Sequence, residues 1–182
     1  QKKILSDIIL SLQGNKIDPV TIEPDVSCLS RFVHQKLSSP GGSQPYFGLL
    51  SCRNGYFIIP VSSGPQSIPL VRTFLVGPSQ DRGELLGREL PLITGLADSE
   101  GTQNCFKLFD STESVDFQQV AKKLGMEVEK IDLAGAAAVA PDALNGCADM
   151  VDLAIAYGAA LAHFDKAQNV NFRNDFMPYQ GA

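Results

Sequence analysis

The chain has 182 residues, of which 44% are hydrophobic and 19% are charged, and 15 basic residues stand against 20 acidic ones. This composition is typical of a globular domain with a sizeable core rather than of a disordered chain. The net charge of −5, without any cluster of Lys and Arg, argues against a general nucleic-acid binder, because phosphate contacts need grouped cations.

The four cysteines are widely scattered, and no Cys-x-x-Cys pair occurs. This spacing argues against a zinc site and favours a reducing, cytosolic compartment. No apolar run reaches the ~18 residues that a membrane-spanning helix needs, so we expect no span within this chain.

Residues 1–44 are predicted to form two helices and a linker that lead into a lobe. Ile4, Ile8 and Leu12 recur every four residues and predict a helix that ends at Gly14. Pro24 opens a second predicted helix over residues 25–37. The lobe itself is expected over residues 45–168, and an extended tail over residues 169–182.

The lobe begins with three short apolar runs, 46–50, 56–61 and 68–76, separated by turn residues. Asn54-Gly55 is a strong hairpin signal, because both residues tolerate a positive φ, and a second turn is predicted over residues 62–65. These runs predict an antiparallel meander of three strands. The segments that follow alternate between helix and strand, which predicts an α/β fold with a mixed sheet and helices on its faces.

Two strands and three longer helices are predicted after the meander. The strands are expected at 104–109 and 127–133, and the helices at 81–97, 114–124 and 149–164. Pro91 should kink or split the first of these helices, and Gly125 should end the second in a left-handed conformation. Residues 149–164 are apolar on nearly all sides, which predicts a buried helix.

Three features of the lobe are candidates for chemistry, and each has a structural alternative. Asp110 ends a predicted strand, where catalytic acids often lie, but with Ser111 and Thr112 it could equally cap a helix. The loop of Ser51, Cys52, Arg53, Asn54 and Gly55 could present amides to a phosphate, although it has neither a carboxylate for Mg²⁺ nor a P-loop Lys. Gly135 lies in a run of small residues that could admit a ligand or simply allow tight packing.

Three segments resemble one family. Residues 17–25, IDPVTIEPD, followed by CLSRF, resemble the linker and helix that enter the second lobe of PilM-type pilus assembly proteins. Residues 149–164 resemble the last helix of that family. The tail NVNFR is similar to the segment that starts the partner PilN proteins, and to the segment before the membrane helix of GspL, the type II secretion platform protein.

The resemblance implies an actin-like, ribonuclease H-like lobe whose five-stranded sheet has the order 3-2-1-4-5, with only the meander antiparallel and with helices on both faces. It implies a non-catalytic scaffold on the cytoplasmic face of the bacterial inner membrane, in a type IV pilus or type II secretion platform. Its partners would be the assembly or secretion ATPase and other platform proteins, with a homodimer as a further possibility. The membrane would be reached only through a segment that follows the tail.

The phosphate and adenine loops depart from the pattern of ATP-binding members of the family. Those members carry an Asp-x-Gly…Thr phosphate loop, where this chain has Ser51 to Gly55 with no Asp and no Thr. They also carry paired glycines in the adenine loop, where only Gly135 remains. We therefore expect no cofactor and no enzymatic activity, because nothing acidic would hold the metal that neutralises a nucleotide. The alternatives are an actin-like ATPase whose site needs a missing first lobe and, less favoured, a stand-alone metabolic enzyme.

The tail concentrates apolar side chains that no helical stripe accommodates. We predict that it docks in an extended form against an actin-like body, its own or a neighbour's; the alternative is a disordered terminus. The residues predicted to bind a partner are Asn171, Phe172, Arg173, Phe176, Met177 and Pro178.

Overall fold

The computed structural model describes residues 2–38, 45–59, 69–95, 105–165 and 170–174. The strands are β1 (Tyr46–Leu50), β2 (Asn54–Ile59), β3 (Leu70–Leu75), β4 (Cys105–Asp110) and β5 (Glu127–Lys130). The helices are α1 (Lys2–Gly14), α2 (Asp25–Phe32), α3 (Arg82–Thr94), α4 (Phe117–Leu124), α5 (Leu133–Ala137) and α6 (Met150–Asp165). A π-helical turn, Val33–Leu37, extends α2, and a short 3-10 helix, Pro141–Leu144, precedes α6. The turn predicted over residues 62–65 lies outside the described residues.

The five strands form one mixed sheet in the order β3-β2-β1-β4-β5. β1 pairs with β2, and β2 with β3, in antiparallel fashion, whereas β4 runs parallel to both β1 and β5. The expected strand order and the restriction of antiparallel pairing to the meander are confirmed. The carboxyl ends of β1 and β4 consequently meet at one edge of the sheet, where Leu50 is aligned with Asp110.

The turn of the first hairpin lies earlier in the chain than Asn54-Gly55. The Ser51 amide donates a hydrogen bond to the Asn54 carbonyl oxygen (2.8 Å), so that Cys52 and Arg53 form the tip. Gly55 is already within β2, opposite Leu50. The predicted position of the turn is therefore wrong. Gly55 is needed for space instead, because a Cβ there would lie 2.1 Å from the Phe74 ring.

Both faces of the sheet are covered by helices. On one face, strand side chains pack against α3 and α4, in a core that includes Phe57, Phe106, Leu108, Leu86, Leu90 and Val120. On the other face they pack against α2, α5 and α6, in a core that includes Phe47, Leu49, Ile58, Leu29, Phe32 and Val151. Helix α2 thus belongs to the same core as the sheet that follows it.

Helix α6 packs along only one side. Val151, Ala154, Gly158 and Ala162 are buried, at the three- and four-residue spacing of a helical stripe. Ala156 and Ala159 face away from this stripe and are exposed. The prediction that the helix is buried on nearly all sides is therefore wrong. An Ala-rich outer face is equally compatible with an exposed helix, because Ala has the highest helix propensity.

Two further segments differ from expectation. Helix α3 is not split at Pro91 and continues through it, with core residues on both sides, among them Leu90 and Ile93. The small residues around Gly135 form α5 rather than an open loop, with Asp132 accepting a hydrogen bond from the Gly135 amide (3.0 Å). As expected, Gly125 ends α4 with a φ of 64°. Within the described ranges, no helix combines the length and apolar character needed to cross a membrane.

Candidate functional site

The carboxyl edge of the sheet is the first candidate site. Asp110 is the last residue of β4 and is only 3% exposed. The Ser111 amide donates to the Leu50 carbonyl oxygen (2.9 Å), which joins the two parallel strands where they end. Catalytic and ligand-binding groups of open α/β sheets lie at this kind of edge, so the state of Asp110 decides what chemistry is possible here.

Both carboxylate oxygens of Asp110 are fully used by protein donors. Oδ1 accepts hydrogen bonds from Arg82 Nη1 (2.6 Å), the Thr112 amide (3.2 Å) and the Thr112 hydroxyl (3.0 Å). Oδ2 accepts from the amides of Ser114 (2.8 Å) and Val115 (3.0 Å), and from the Ser114 hydroxyl (3.3 Å). With three donors on each oxygen, Asp110 has no lone pair directed at a ligand, and it organises the turn between β4 and α4. The helix cap suggested by the sequence is not observed here, because Asp116 caps α4 by accepting hydrogen bonds from the amides of Gln118 and Gln119.

Arg82 provides the positive charge for this buried carboxylate. Its second terminal nitrogen donates to the Ser51 carbonyl oxygen (3.0 Å), so one guanidinium joins the ends of β1 and β4 to the first turn of α3. Burial by itself raises the pKa of the Asp110 carboxyl. The amides of Thr112 and Val115 and the charge of Arg82 outweigh that effect and hold this pKa below its ordinary value.

The residues predicted to form a phosphate loop form a tight turn that is closed by its own side chain. Ser51 is buried, and its hydroxyl oxygen accepts hydrogen bonds from the amides of Arg53 (3.1 Å) and Asn54 (2.8 Å). The Cys52 amide donates to Asp149 Oδ2 (2.8 Å), while Asp149 Oδ1 accepts from the Val151 amide at the start of α6. With the Ser51 amide, which donates to the Asn54 carbonyl oxygen, four amides of this turn are therefore already hydrogen-bonded within the protein.

A polar cavity of about 600 Å³ opens beside this edge. It is lined by residues 77–82 after β3, together with Cys52, Thr112 and Ser114. The Cys52 thiol is exposed and lies 3.7 Å from the Ser111 hydroxyl. Arg82 reaches the cavity wall, but its charge is neutralised by Asp110. Among the described residues, no three or more His, Cys, Asp or Glu side chains are grouped so that they could hold a metal ion.

Gly135 is the other residue that was predicted to contact a nucleotide. It follows β5 in the sequence and lies within α5. A Cβ at this position would lie 2.4 Å from the Asp132 carboxylate. The glycine therefore leaves room for the carboxylate that caps its own helix. Gly135 is exposed, so the tight packing suggested as the alternative is not observed around it.

Residues 171–173 of the tail form the second candidate site, because they contact the linker before α2. They lie in a turn closed by a hydrogen bond from the Asn174 amide to the Asn171 carbonyl oxygen (3.1 Å), so the extended form predicted for the tail is not observed at residues 171–174. The Phe172 amide donates to the Ile22 carbonyl oxygen (3.0 Å), and the Ile22 amide donates to Asn171 Oδ1 (3.1 Å). Asn171 Nδ2 also donates to the Val20 carbonyl oxygen (3.2 Å). We call these contacts, together with those of Arg173, the clasp between residues 18–22 and residues 171–173.

Arg173 is the most buried residue of the clasp, with 3% of its surface exposed. Its Nη1 donates to Asp18 Oδ1 (2.7 Å) and to the Pro19 carbonyl oxygen. Hydrogen bonds from Gln13 and then from Arg173 lower the pKa of the Asp18 carboxyl. The Phe172 side chain is 45% exposed, so polar groups dominate the docking. Phe176, Met177 and Pro178 lie outside the described residues, and their predicted role stays a prediction.

Sequence reasoning did not single out Arg82, Asp149 or Asp18. For Arg82 a signal exists: a cation in the first turn of a helix opposes the helix dipole, which favours a nearby anion as its partner. Asp149 likewise precedes an apolar helix as an N-cap residue would. Asp18 shows no comparable local signal, because its partner lies 155 residues away in the sequence.

No protein-family model and no curated protein matches this chain.

Proposed function

We propose that this chain is an actin-like, ribonuclease H-like lobe that serves as a non-catalytic scaffold of a PilM/GspL-like inner-membrane platform, in a type IV pilus or type II secretion system. The observation that carries the non-catalytic part is the saturation of Asp110. The acidic group at the ends of the central parallel strands is neutralised by Arg82 and accepts six hydrogen bonds from the protein.

The strand order β3-β2-β1-β4-β5, with only the meander antiparallel, supports the actin-like assignment. The resemblance of residues 17–25, 149–164 and 169–173 supports the platform assignment. In this proposal the chain acts at the cytoplasmic face of the bacterial inner membrane. Its partners are the assembly or secretion ATPase and other platform proteins.

A second candidate, an actin-like ATP-binding protein whose site needs a first lobe, is favoured by the cavity of about 600 Å³ at the carboxyl edge. The geometry weighs against it. A nucleotide there would need Mg²⁺, and Asp110 cannot provide a ligand without giving up Arg82 and its amide donors.

Calorimetry with ATP and Mg²⁺ on a chain that includes the first actin-like lobe separates the two candidates, because the second candidate binds nucleotide only when both lobes are present. We expect no heat of binding at micromolar nucleotide and no release of phosphate. Micromolar affinity would instead support the ATP-binding candidate.

The scaffold role is tested separately, by co-purifying the protein with an assembly or secretion ATPase from the same organism. We expect a stable complex that forms equally well with and without nucleotide. Failure to bind either the ATPase or any other platform protein would contradict the proposed function.

A further inference from the structure

The clasp has the organisation of a peptide-binding site that is occupied by the chain's own tail. Residues 18–22 present mainly main-chain groups: the carbonyl oxygens of Pro19, Val20 and Ile22 and the amide of Ile22. Asp18 adds one carboxylate. The segment held by these groups is a turn, closed by a hydrogen bond from the Asn174 amide to the Asn171 carbonyl oxygen (3.1 Å).

Two side chains of the tail provide the specificity of this contact. The Asn171 amide group accepts from Ile22 and donates to Val20, and an Asp side chain could only accept. Arg173 satisfies a carboxylate and a carbonyl oxygen with one buried guanidinium. Phe172 between them contributes its amide, while its ring stays 45% exposed, so this position accepts different side chains. The recognised pattern is Asn-X-Arg.

The contacts indicate that the clasp can open without unfolding the core. They are hydrogen bonds and one ion pair, and the Asp18 side chain keeps 43% of its surface exposed. Val20 and Val170, which flank the contacts, are both exposed. Opening therefore uncovers neither of these valines, and segments held mainly by hydrogen bonds open at a lower free energy than the core does.

We propose that residues 18–22 form a binding site for Asn-X-Arg segments, filled in cis by residues 171–173 and able to take the same segment from a second copy of this chain. Every copy carries both the site and its ligand, so an exchange between two copies reproduces each contact. This inference does not rest on the proposed function. It would stand if the protein bound ATP.

The first test empties the site and refills it from solution. The full chain with Asn171→Ala and Arg173→Ala, labelled with ¹⁵N, is titrated with a peptide of residues 169–174 (NVNFRN). We expect a saturable shift of the Ile22 amide resonance. The same peptide with Ala in place of Arg should give no shift. Wild type should also give none, because its own tail competes at an effective concentration on the order of millimolar.

Amide exchange provides a readout on single variants. In Arg173→Ala, exchange of the Ile22 amide should be at least about tenfold faster than in wild type, because a charged hydrogen bond is lost. Exchange at Phe57 in the core should not change. Arg53→Ala removes the same charge from the exposed hairpin tip and should leave the Ile22 amide as protected as in wild type. Arg173→Lys, a milder change, should fall between wild type and Arg173→Ala.

The second copy is tested by mixing two complementary variants. Asp18→Arg repels Arg173 and leaves a free tail, whereas Asn171→Ala with Arg173→Ala leaves a free site. We expect sedimentation to show a one-to-one complex in the mixture and monomers in each separate sample.

Three results would overturn the proposal. The first is equal exchange of the Ile22 amide in wild type and Arg173→Ala. The second is a peptide that shifts no resonance of residues 18–22. The third is a mixture that stays monomeric above the dissociation constant of the peptide.

Discussion

At the scale of single residues, the pair of Arg82 and Asp110 is the most consequential interaction of the site. Each partner is buried, and the pair joins α3 to the ends of β1 and β4. The net stabilisation from such a buried ion pair is small, because both charges must be desolvated. Removing one partner is nevertheless costly, because the other is left as an uncompensated buried charge. The Asp110 carboxylate, which could otherwise have bound a metal ion, therefore has a structural role.

We expect Arg82→Ala to destabilise the fold by about 3–5 kcal/mol, the cost of breaking a buried ion pair from one side. Urea denaturation followed by circular dichroism measures this change. Arg88→Ala is the matched control, because Arg88 is paired with Glu89 but is largely exposed. Its loss should cost at most about 1 kcal/mol. Equal effects of the two changes would show that the Arg82 pair is not desolvated as described.

At the scale of elements, the contact between α2 and α6 depends on a glycine. A Cβ on Gly158 would lie 1.9 Å from the Cys28 carbonyl oxygen, so the two helices approach backbone to backbone. Arg31 strengthens the contact by donating from Nη1 to the Gly158 carbonyl oxygen (2.6 Å). The same arginine is paired with Glu23 (3.0 Å), which ties the linker to both helices.

Gly158→Ala should destabilise the protein by about 1–3 kcal/mol through overpacking, although Ala has the better helix propensity. Gly14→Ala, at the end of α1, is the control, because nothing lies within 4 Å of its added Cβ. Thermal unfolding of the two variants should therefore show a lower midpoint for Gly158→Ala only. An unchanged midpoint in that variant would mean that α6 can move away from α2 at little cost.

The order of the elements could be predicted from the sequence, because each strand is a short apolar run bounded by turn residues. The register of the first hairpin could not, since a glycine required for a positive φ and one required for space, such as Gly55, look alike in a sequence. The burial of the outer face of α6 was predicted wrongly for a similar reason, because alanine is common both in buried helices and on the exposed faces of helices. The role of Asp110 depended on Arg82, whose proximity only the folded chain reveals.

At the scale of the whole molecule, three carboxylates connect distant parts of the chain through arginines. Asp18 pairs with Arg173 in the clasp, Glu89 of α3 with Arg72 of β3, and Asp110 of β4 with Arg82 of α3. Burial raises the pKa of the Glu89 carboxyl, but hydrogen bonds from Arg72 and Arg88 outweigh it and lower this pKa. All three carboxyls therefore have a lower pKa in the folded protein than in the unfolded chain.

Because the pKa of each of these three carboxyls is lowered by folding, the stability of the protein depends on pH in a predictable way. A carboxyl with a lowered folded-state pKa stabilises the fold above its unfolded value, about 4, and this contribution is lost as the pH falls through the folded-state pKa. We expect the free energy of unfolding to change little between about pH 7 and pH 5 and to fall steeply below about pH 4. Urea titrations at a series of pH values measure the curve.

Asp110→Asn tests which carboxylate contributes to this decline. The variant should be less stable than wild type at pH 7, because Arg82 loses its charged partner. Its stability should also fall less steeply with acid, because one titrating group is gone. Asp142→Asn changes an exposed aspartate and should follow the wild-type curve. Parallel curves for Asp110→Asn and wild type would mean that the acid sensitivity comes from other carboxylates, and the buried pair at the sheet edge would not be its source.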